Sequence, residues 1–414
     1  ASSGHAAVIG AGIVGICTAA YLQRAGFAVT LVDPEEPGTM TSYGNAGSIS
    51  AHSVMPMALP GIWKKVPRWL LDPLGPLAIR PGYALKAAPW LMKFMAAAKT
   101  YEQQAEALAA LYRPVRESYL ALTGEAGADY LLKQTGSLAV YETEAAFQGD
   151  SLMREVVRRH GHKVEELNGD ELRQLEPALG PQFIHATYYP DSTHCRNPGE
   201  LCRLLAQMVF DAGGQHLRAK VAGFETGADG VTALRTADGG RHAFDHFVVA
   251  AGAWSHRLSA CLGEPFPLES ERGYHISLPH AGFETSRPIS FGERKFMCTT
   301  MEPGVRLAGT VEFAGLEAEP NWGRADKLMR HAQEVFRGAD VSDAKPWMGQ
   351  RPATPDSLPV IGGSKKHRNV AYAFGHGHLG LTGGAITGQH IASVISGREP
   401  AIDLSPFAID RYAR

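Results

Sequence analysis

The stretch His5-Ala6-Ala7-Val8-Ile9-Gly10-Ala11-Gly12-Ile13-Val14-Gly15 decides the fold. His5 to Ile9 is apolar enough for a short buried strand, glycines follow at G-x-G-x-x-G spacing, and Ile16 to Gln23 are helix-compatible up to a stop at Gly26. Ala28 to Val32 is a second apolar run ending at Asp33, so a whole β-α-β unit is legible. Each glycine meets a separate demand: Gly10 permits the tight turn, Gly12 lets backbone N–H groups approach a pyrophosphate, and Gly15 lets helix and strand pack closely. Asp33 is placed to accept both ribose hydroxyls of an adenosine and would repel a 2′-phosphate, which disfavours NADP. The motif does not separate NAD from FAD. After Asp33 the chain leaves for Thr41-Ser42-Tyr43-Gly44-Asn45-Ala46-Gly47-Ser48, small and polar residues that let a planar ring system lie against backbone.

The 414 residues suit two domains, and 44% hydrophobic with 20% charged residues exclude a disordered, fibrous or coiled-coil chain. Forty basic against 42 acidic residues argue against a nucleic acid partner. The cysteines Cys17, Cys195, Cys202, Cys261 and Cys298 are odd in number and form no C-x-x-C pair, so a reducing, cytoplasmic setting is expected and Cys195 and Cys202 read as buried fillers. No spanning segment or signal peptide is visible. Val54 to Lys99 carries Lys64, Lys65, Arg68, Arg80, Lys86, Lys93 and Lys99 against Asp72 alone, with Trp63, Trp69 and Trp90 interleaved. It reads either as a surface, over residues 61–99, that lies peripherally on the inner face of the cytoplasmic membrane, or as a helical cap with inward tryptophans and solvated lysines.

Further along, Ala105 to Thr123 and Asp150 to Gly161 read as amphipathic helices over a second domain. Asn197 to Ala212 is a helix, and a β-meander follows with a turn at Asp238-Gly239. Phe244 to Ala250 runs into Ala251-Gly252, small enough to pack under a dinucleotide. Leu268 to Pro279 and Ile289 to Phe313 are strands, and Arg324 to Phe336 a helix. Asn369 to Phe374 is a strand, and Gly375-His376-Gly377-His378-Leu379-Gly380-Leu381-Thr382 opens a helix through Ile395, a second glycine-rich strand-to-helix turn. Its N–H groups and the positive end of its helix suit negative charge on a reduced flavin ring. His52, His376 and His378 have no carboxylate or cysteine at ligand spacing, so no metal site is expected.

Taken together, Gly10 to Gly15 with Asp33, Thr41 to Ser50, Gly273-Tyr274, Gly349 to Gly362, Gly375 to Thr382 and the tail Ser405 to Arg414 closely resemble the D-amino acid oxidase superfamily of FAD-dependent amine oxidoreductases, and within it the bacterial D-amino acid dehydrogenases. The resemblance spans nearly the whole chain. It implies an α/β architecture: a Rossmann-like FAD-binding domain of discontinuous segments (1–53, 191–265 and 345–414), plus an antiparallel-sheet α+β substrate domain with a helical cap (54–190 and 266–344).

By the same resemblance, Gly10, Gly12, Gly15 and Asp33 form the ADP site, and Ser42, Asn45, Ala46 and Gly47 meet the flavin ring. Val221 is similar to the residue whose backbone meets adenine, and Ala251 and Gly252 to the pair beneath the cofactor. His376, Gly377, His378, Gly380, Leu381 and Thr382 resemble the loop at the pyrimidine edge. Arg351 matches the arginine that grips the substrate carboxylate, and Tyr274 a pocket tyrosine. His52 reads either as a cavity residue that accepts a proton or as a solvated loop histidine. Asp33 departs from the commoner Glu, and the expected flavin is noncovalent.

The implied reaction removes the α-hydrogen of a D-amino acid, or of a cyclic amino acid such as D-proline or hydroxy-D-proline, as hydride to flavin N5. It yields an imino acid and then a 2-oxo acid, and electrons pass to a quinone or other carrier. A 2-hydroxy acid as substrate, or a flavin-carrying subunit of a larger complex, are the competing readings.

Overall fold

The computed structural model describes residues 4–61, 74–75 and 77–413. Strand β1 (His5–Ile9), helix α1 (Ile13–Arg24) and strand β2 (Ala28–Val32) have the bounds their apolar runs predict. β1 sits inside a six-stranded sheet in the order Gln215–Leu217, β2, β1, His246–Val249, Val370–Phe374, Val360–Gly363. Every pair is parallel except the last. Because β1 and Val370–Phe374 point the same way, α1 and the helix Gly380–Ile395 both begin at the carboxyl edge of the sheet, where open α/β sheets bind their ligands.

Glycine also brings these two helices together. A Cβ on Gly388 would lie 2.7 Å from the Cys17 carbonyl carbon and oxygen, and one on Gly384 would lie 3.2 Å from Ile13 Cγ1. The four-residue spacing of Gly384 and Gly388 puts both on one face, so the helices close on each other and their N-termini converge. Leu205, Val209, Ile386 and Ile391 complete the core beneath β1.

Two sequence expectations are corrected here. Ala105 to Thr123 is two helices, Tyr101–Tyr112 and Val115–Thr123, because Pro114 supplies no N–H to continue the ladder. Both cover the nucleotide-side core, through Leu108, Leu111, Tyr119 and Leu122, and the first also packs Ala105 and Ala109 on Val156, Val157 and Tyr189 of the second domain. The strand Lys345–Ala353, expected in the nucleotide domain, pairs along its whole length with Glu269–Leu278, from Glu269 opposite Ala353 to Ser277 opposite Lys345. It therefore belongs to the second sheet, and the nucleotide sheet is rejoined only at Val360–Gly363.

That second sheet runs in the order Lys345–Ala353, Glu269–Leu278, Gly304–Phe313, Phe296–Met301, Ile289–Phe291, Ser137–Tyr141, His185–Tyr189, Glu165–Asn168, with Leu77–Ile79 beside Gly304–Phe313. Helix Gly323–Val335 seals one face with Ala325, Leu328 and Val335 against Ile276, Val305 and Leu307. The other face looks toward the nucleotide sheet.

Of the basic, tryptophan-bearing stretch, Trp63, Lys64, Lys65, Arg68, Trp69 and Asp72 fall outside the described residues. Helix Ala84–Ala97 is described. Its Trp90 is buried and donates Nε1–H to the Ala353 carbonyl at 3.1 Å, while Leu85, Met92 and Met95 are exposed. Among the described residues no helix is long and apolar enough to cross a membrane.

Candidate active site

A cavity of about 1670 Å³ begins where the two glycine turns meet and runs to the open face of the second sheet. It exceeds the roughly 300–1,000 Å³ of an ordinary small-molecule site, so a dinucleotide and a small substrate fit together.

At the nucleotide end, the space exists only because side chains are missing. Gly10 has φ +111°, and a Cβ there would lie 2.2 Å from the Ala250 carbonyl oxygen; on Gly15 it would lie 1.9 Å from the Gly10 oxygen. Gly10 and Gly12 line the cavity, and Gly15 supports the turn from behind. The Asp33 carboxylate holds the turn in place, accepting from Ala11 N–H at 2.7 Å and Glu35 N–H at 2.9 Å, and it also lines the cavity. Val221, Ala251 and Gly252 line the same end. These residues fit the adenosine and pyrophosphate of a dinucleotide.

Toward the middle, Ser42, Asn45 and Ala46 face the cavity from one side and His376, Gly377, His378, Gly380 and Leu381 from the other. Ser42 Oγ accepts from Ile13 N–H at 2.9 Å, joining this loop to the first glycine turn. Asn45 Oδ1 accepts from Gly47 N–H, and Gly47 takes φ +83° with the Cys195 carbonyl too close for any Cβ. Thr382 lies behind, donating to the Ser48 carbonyl at 3.1 Å. His376 is buried, bonded through Nε2 to Thr387 Oγ1, and burial lowers its pKa to about 3.

A clamp that sequence reasoning missed fixes this loop. Arg306 Nη1 donates to the carbonyls of Tyr43 and Asn45, both at 2.8 Å, and His275 Nδ1 donates to that of Gly44 at 3.1 Å. His275 stacks on Trp347 at 4.7 Å, and the Trp347 ring occupies the space a Cβ on Gly44 would need. Burial lowers Arg306 to about 10, and burial with the Arg306 charge lowers His275 to about 3, so one cation and one neutral ring hold the loop. The clamp residues lie far from the loop in sequence, and no local signal marks them.

At the substrate end, Arg351 lies over Gly273, where a Cβ would come 2.2 Å from Nη2. Arg351 Nη1 donates to Glu271 Oε1 and to the Thr310 carbonyl, each at 3.1 Å. Thr310 adopts φ +62°, strained for a β-branched residue, at the point where the pairing of Glu269–Leu278 with Gly304–Phe313 slips its register. The bulge aims a carbonyl at the guanidinium. Arg351 Nε and Nη2 make no hydrogen bond to any described residue, which leaves one edge of the fork for a carboxylate.

Tyr274 is held by two partners of its own. Its hydroxyl donates to Glu312 Oε2 at 2.6 Å and accepts from Asn321 N–H at 2.8 Å, and the residue is buried. Tyr274 is among the residues that line the cavity, but its hydroxyl is taken up by Glu312 and Asn321. His52 faces the cavity, stacked on Tyr189 at 4.1 Å with Nδ1 3.0 Å from Ser192 Oγ, and burial lowers its pKa to about 3. Among the described residues no cluster suits a metal ion.

The family model described as FAD dependent oxidoreductase, DAO, matches residues 5–394. A D-amino-acid oxidase of Bradyrhizobium diazoefficiens is 42% identical over 417 residues, covering 99% of each chain. A D-amino acid dehydrogenase of Granulibacter bethesdensis is 31% identical, over 98% of this chain and 99% of that one. Among solved structures, L-proline dehydrogenase from P. horikoshii matches with a TM-score of 0.76 at 18% identity, over 100% of this chain and 98% of that one. Glycine oxidase from Geobacillus kaustophilus matches with 0.73 at 22%, over 99% of each. At such identities the two structures speak for the fold alone.

Proposed function

Because the chain belongs to the DAO family of FAD-dependent oxidoreductases, we propose that it oxidises D-amino acids with an uncharged side chain, cyclic ones such as D-proline and hydroxy-D-proline included. The D configuration is supported by the names of its two relatives, a D-amino-acid oxidase and a D-amino acid dehydrogenase. The observation that carries the substrate class is the unpaired edge of Arg351, poised over Gly273 in the cavity that both glycine turns enter.

FAD, when bound, supplies the acceptor for a hydride from the substrate α-carbon. Gly10, Gly12, Asp33, Val221, Ala251 and Gly252 would hold its ADP half, and Ser42, Asn45, Ala46 and the backbone N–H groups of the 376–382 turn its ring. Arg351 holds the carboxylate by two charged hydrogen bonds, each contributing about 1.5–3 kcal/mol, and so fixes which face of the α-carbon is presented. Glu271 and the Thr310 carbonyl keep the guanidinium from swinging away. The wall of Leu77, Ile79, Leu91, Phe94 and Val311 accepts an apolar chain or ring and penalises a charge.

The electrons pass to a quinone or other carrier in this reading. Support for peripheral membrane contact is the exposed Leu85, Met92 and Met95 beside Lys86, Lys93 and Lys99. Cosedimentation with anionic vesicles should weaken in Leu85→Glu/Met92→Glu and in high salt; indifference to both removes that contact.

An anaerobic flavin-bleaching screen tests the function. D-alanine, D-proline and hydroxy-D-proline should bleach the flavin and their L-enantiomers should not. Bleaching by 2-hydroxyglutarate alone would transfer the enzyme to hydroxy acids, and no bleaching by any donor would favour a subunit that only carries flavin.

A further inference from the structure

An amino acid arrives as a zwitterion, and its ammonium group has no lone pair to form the C=N bond as hydride leaves. One proton must therefore be removed inside the cavity. We propose that the His378 imidazole accepts that proton from an amino acid anchored by Arg351. The inference rests on the amino-acid reading above and adds the base that reading lacks.

Each of the other histidines facing the cavity, and of the carboxylates Asp33, Asp150 and Glu271, already has a hydrogen-bond partner, while Glu35, Lys220 and Lys295 also line it. Glu271 Oε1 accepts from Arg351, and Asp150 accepts from the Tyr141 hydroxyl at 3.0 Å. Asp33 lies at the nucleotide end with both oxygens on backbone N–H groups. His52 engages Ser192, and His376 engages Thr387. His378 differs: its side chain is open to the cavity, and its ring makes no hydrogen bond to any described residue.

Backbone geometry puts it there. Gly375 at φ +86° and Gly377 at φ +55° bend the chain out of strand Val370–Phe374, and Gly377–Leu379 forms a single tight turn before helix Gly380–Ile395. A bridge between Ala353 and His376 sets this turn beside the strand that carries Arg351, and residue 378 lines the cavity there. Those two are the charged groups that act on the ring, with opposite signs. Enclosure by protein is the larger effect and, with Arg351, lowers the imidazole below its usual value, while Glu271 partly offsets this. The positive end of the following helix acts in the same direction as Arg351. The shift favours the neutral ring, the form that can accept a proton.

The step balances. One ammonium N–H bond breaks and its proton goes to an imidazole nitrogen. The freed lone pair becomes the second bond of C=N as the C–H pair leaves as hydride to oxidised FAD. The imidazolium returns its proton to solvent once product leaves.

The test is kcat/KM for D-alanine against pH in wild type and His378→Gln. Wild type should rise through a pKa below 6.5 and then stay level to about pH 8.5. His378→Gln should be about 100-fold slower at pH 6.5. It should gain roughly tenfold per pH unit and approach wild type as the free ammonium deprotonates. Benzoate binding, read from the flavin spectrum, needs no base and should be unchanged in the variant. A variant profile parallel to wild type, or a loss of benzoate binding equal to the loss of rate, overturns the base assignment while leaving the function intact. A wild type that no amino acid reduces at any pH overturns both.

Discussion

Gly273→Ala tests the proposed carboxylate anchor, Arg351, apart from the fold. A Cβ at 273 would sit 2.2 Å from Arg351 Nη2 and 2.3 Å from Cζ, so the guanidinium must leave its place. The atoms displaced are the far end of a flexible side chain, and Gly273 is a strand residue without the positive φ that bars alanine. Replacing glycine with alanine inside a strand is otherwise favourable by roughly 0.5–1 kcal/mol, so folding and flavin content should survive. Loss of two charged hydrogen bonds at about 1.5–3 kcal/mol each removes about 3–6 kcal/mol. The expected fall in kcat/KM is therefore about 10²- to 10⁴-fold. Anaerobic stopped-flow bleaching with D-alanine gives the rate, and the 450 nm band counts bound flavin. A fully flavinylated variant within threefold of wild type would refute Arg351 as the anchor.

Gly44→Ala should displace the flavin-facing loop, because its Cβ would fall 1.9 Å from Trp347 Cζ3; FAD affinity should drop at least tenfold and recover when Trp347→Ala is added, whereas additive losses would contradict the clamp. Gly15→Ala meets the Gly10 carbonyl at 1.9 Å, a backbone atom that cannot step aside, and should yield protein without flavin or no folded protein; a yellow, stable variant would contradict the turn geometry. Acid should weaken the fold through buried histidines. His194, His275 and His376 have native pKa values lowered to about 4, 3 and 3 by burial, so their stabilisation is complete above the unfolded value of about 6.5 and is lost as pH falls toward the native values. At pH 5.5 each costs on the order of 1 kcal/mol, and His52 and His390, lowered to about 3 and about 4, add to the loss, so urea midpoints should fall between pH 7.5 and 5.5; equal midpoints would contradict neutral burial.

The sequence was most legible where backbone chemistry is most constrained. β1, α1 and β2 begin and end as their glycines and apolar runs indicate, since G-x-G-x-x-G serves a single geometry. Amphipathic periodicity showed that residues 105–123 cover something, but a helix face carries no label for its partner. The same limit hid the allegiance of Lys345–Ala353. The resemblance put it in the nucleotide half, whereas its pairing with Glu269–Leu278 belongs to residues some seventy-five positions away. Arg306, His275 and Trp347 converge on Gly44 only through the tertiary fold, and the same is true of Glu312 and Asn321 at the Tyr274 hydroxyl.

The central claim is that two glycine turns, joined by helices packed through Gly384 and Gly388, enclose one FAD beside a guanidinium that captures an amino acid. Anaerobic titration of the purified holoprotein with D-proline or D-alanine, followed at 450 nm, tests it most directly. One flavin per chain should bleach in wild type, with Arg351→Ala remaining yellow through the same titration. Colourless protein that FAD does not reconstitute, or an Arg351→Ala variant that bleaches as readily as wild type, would contradict it.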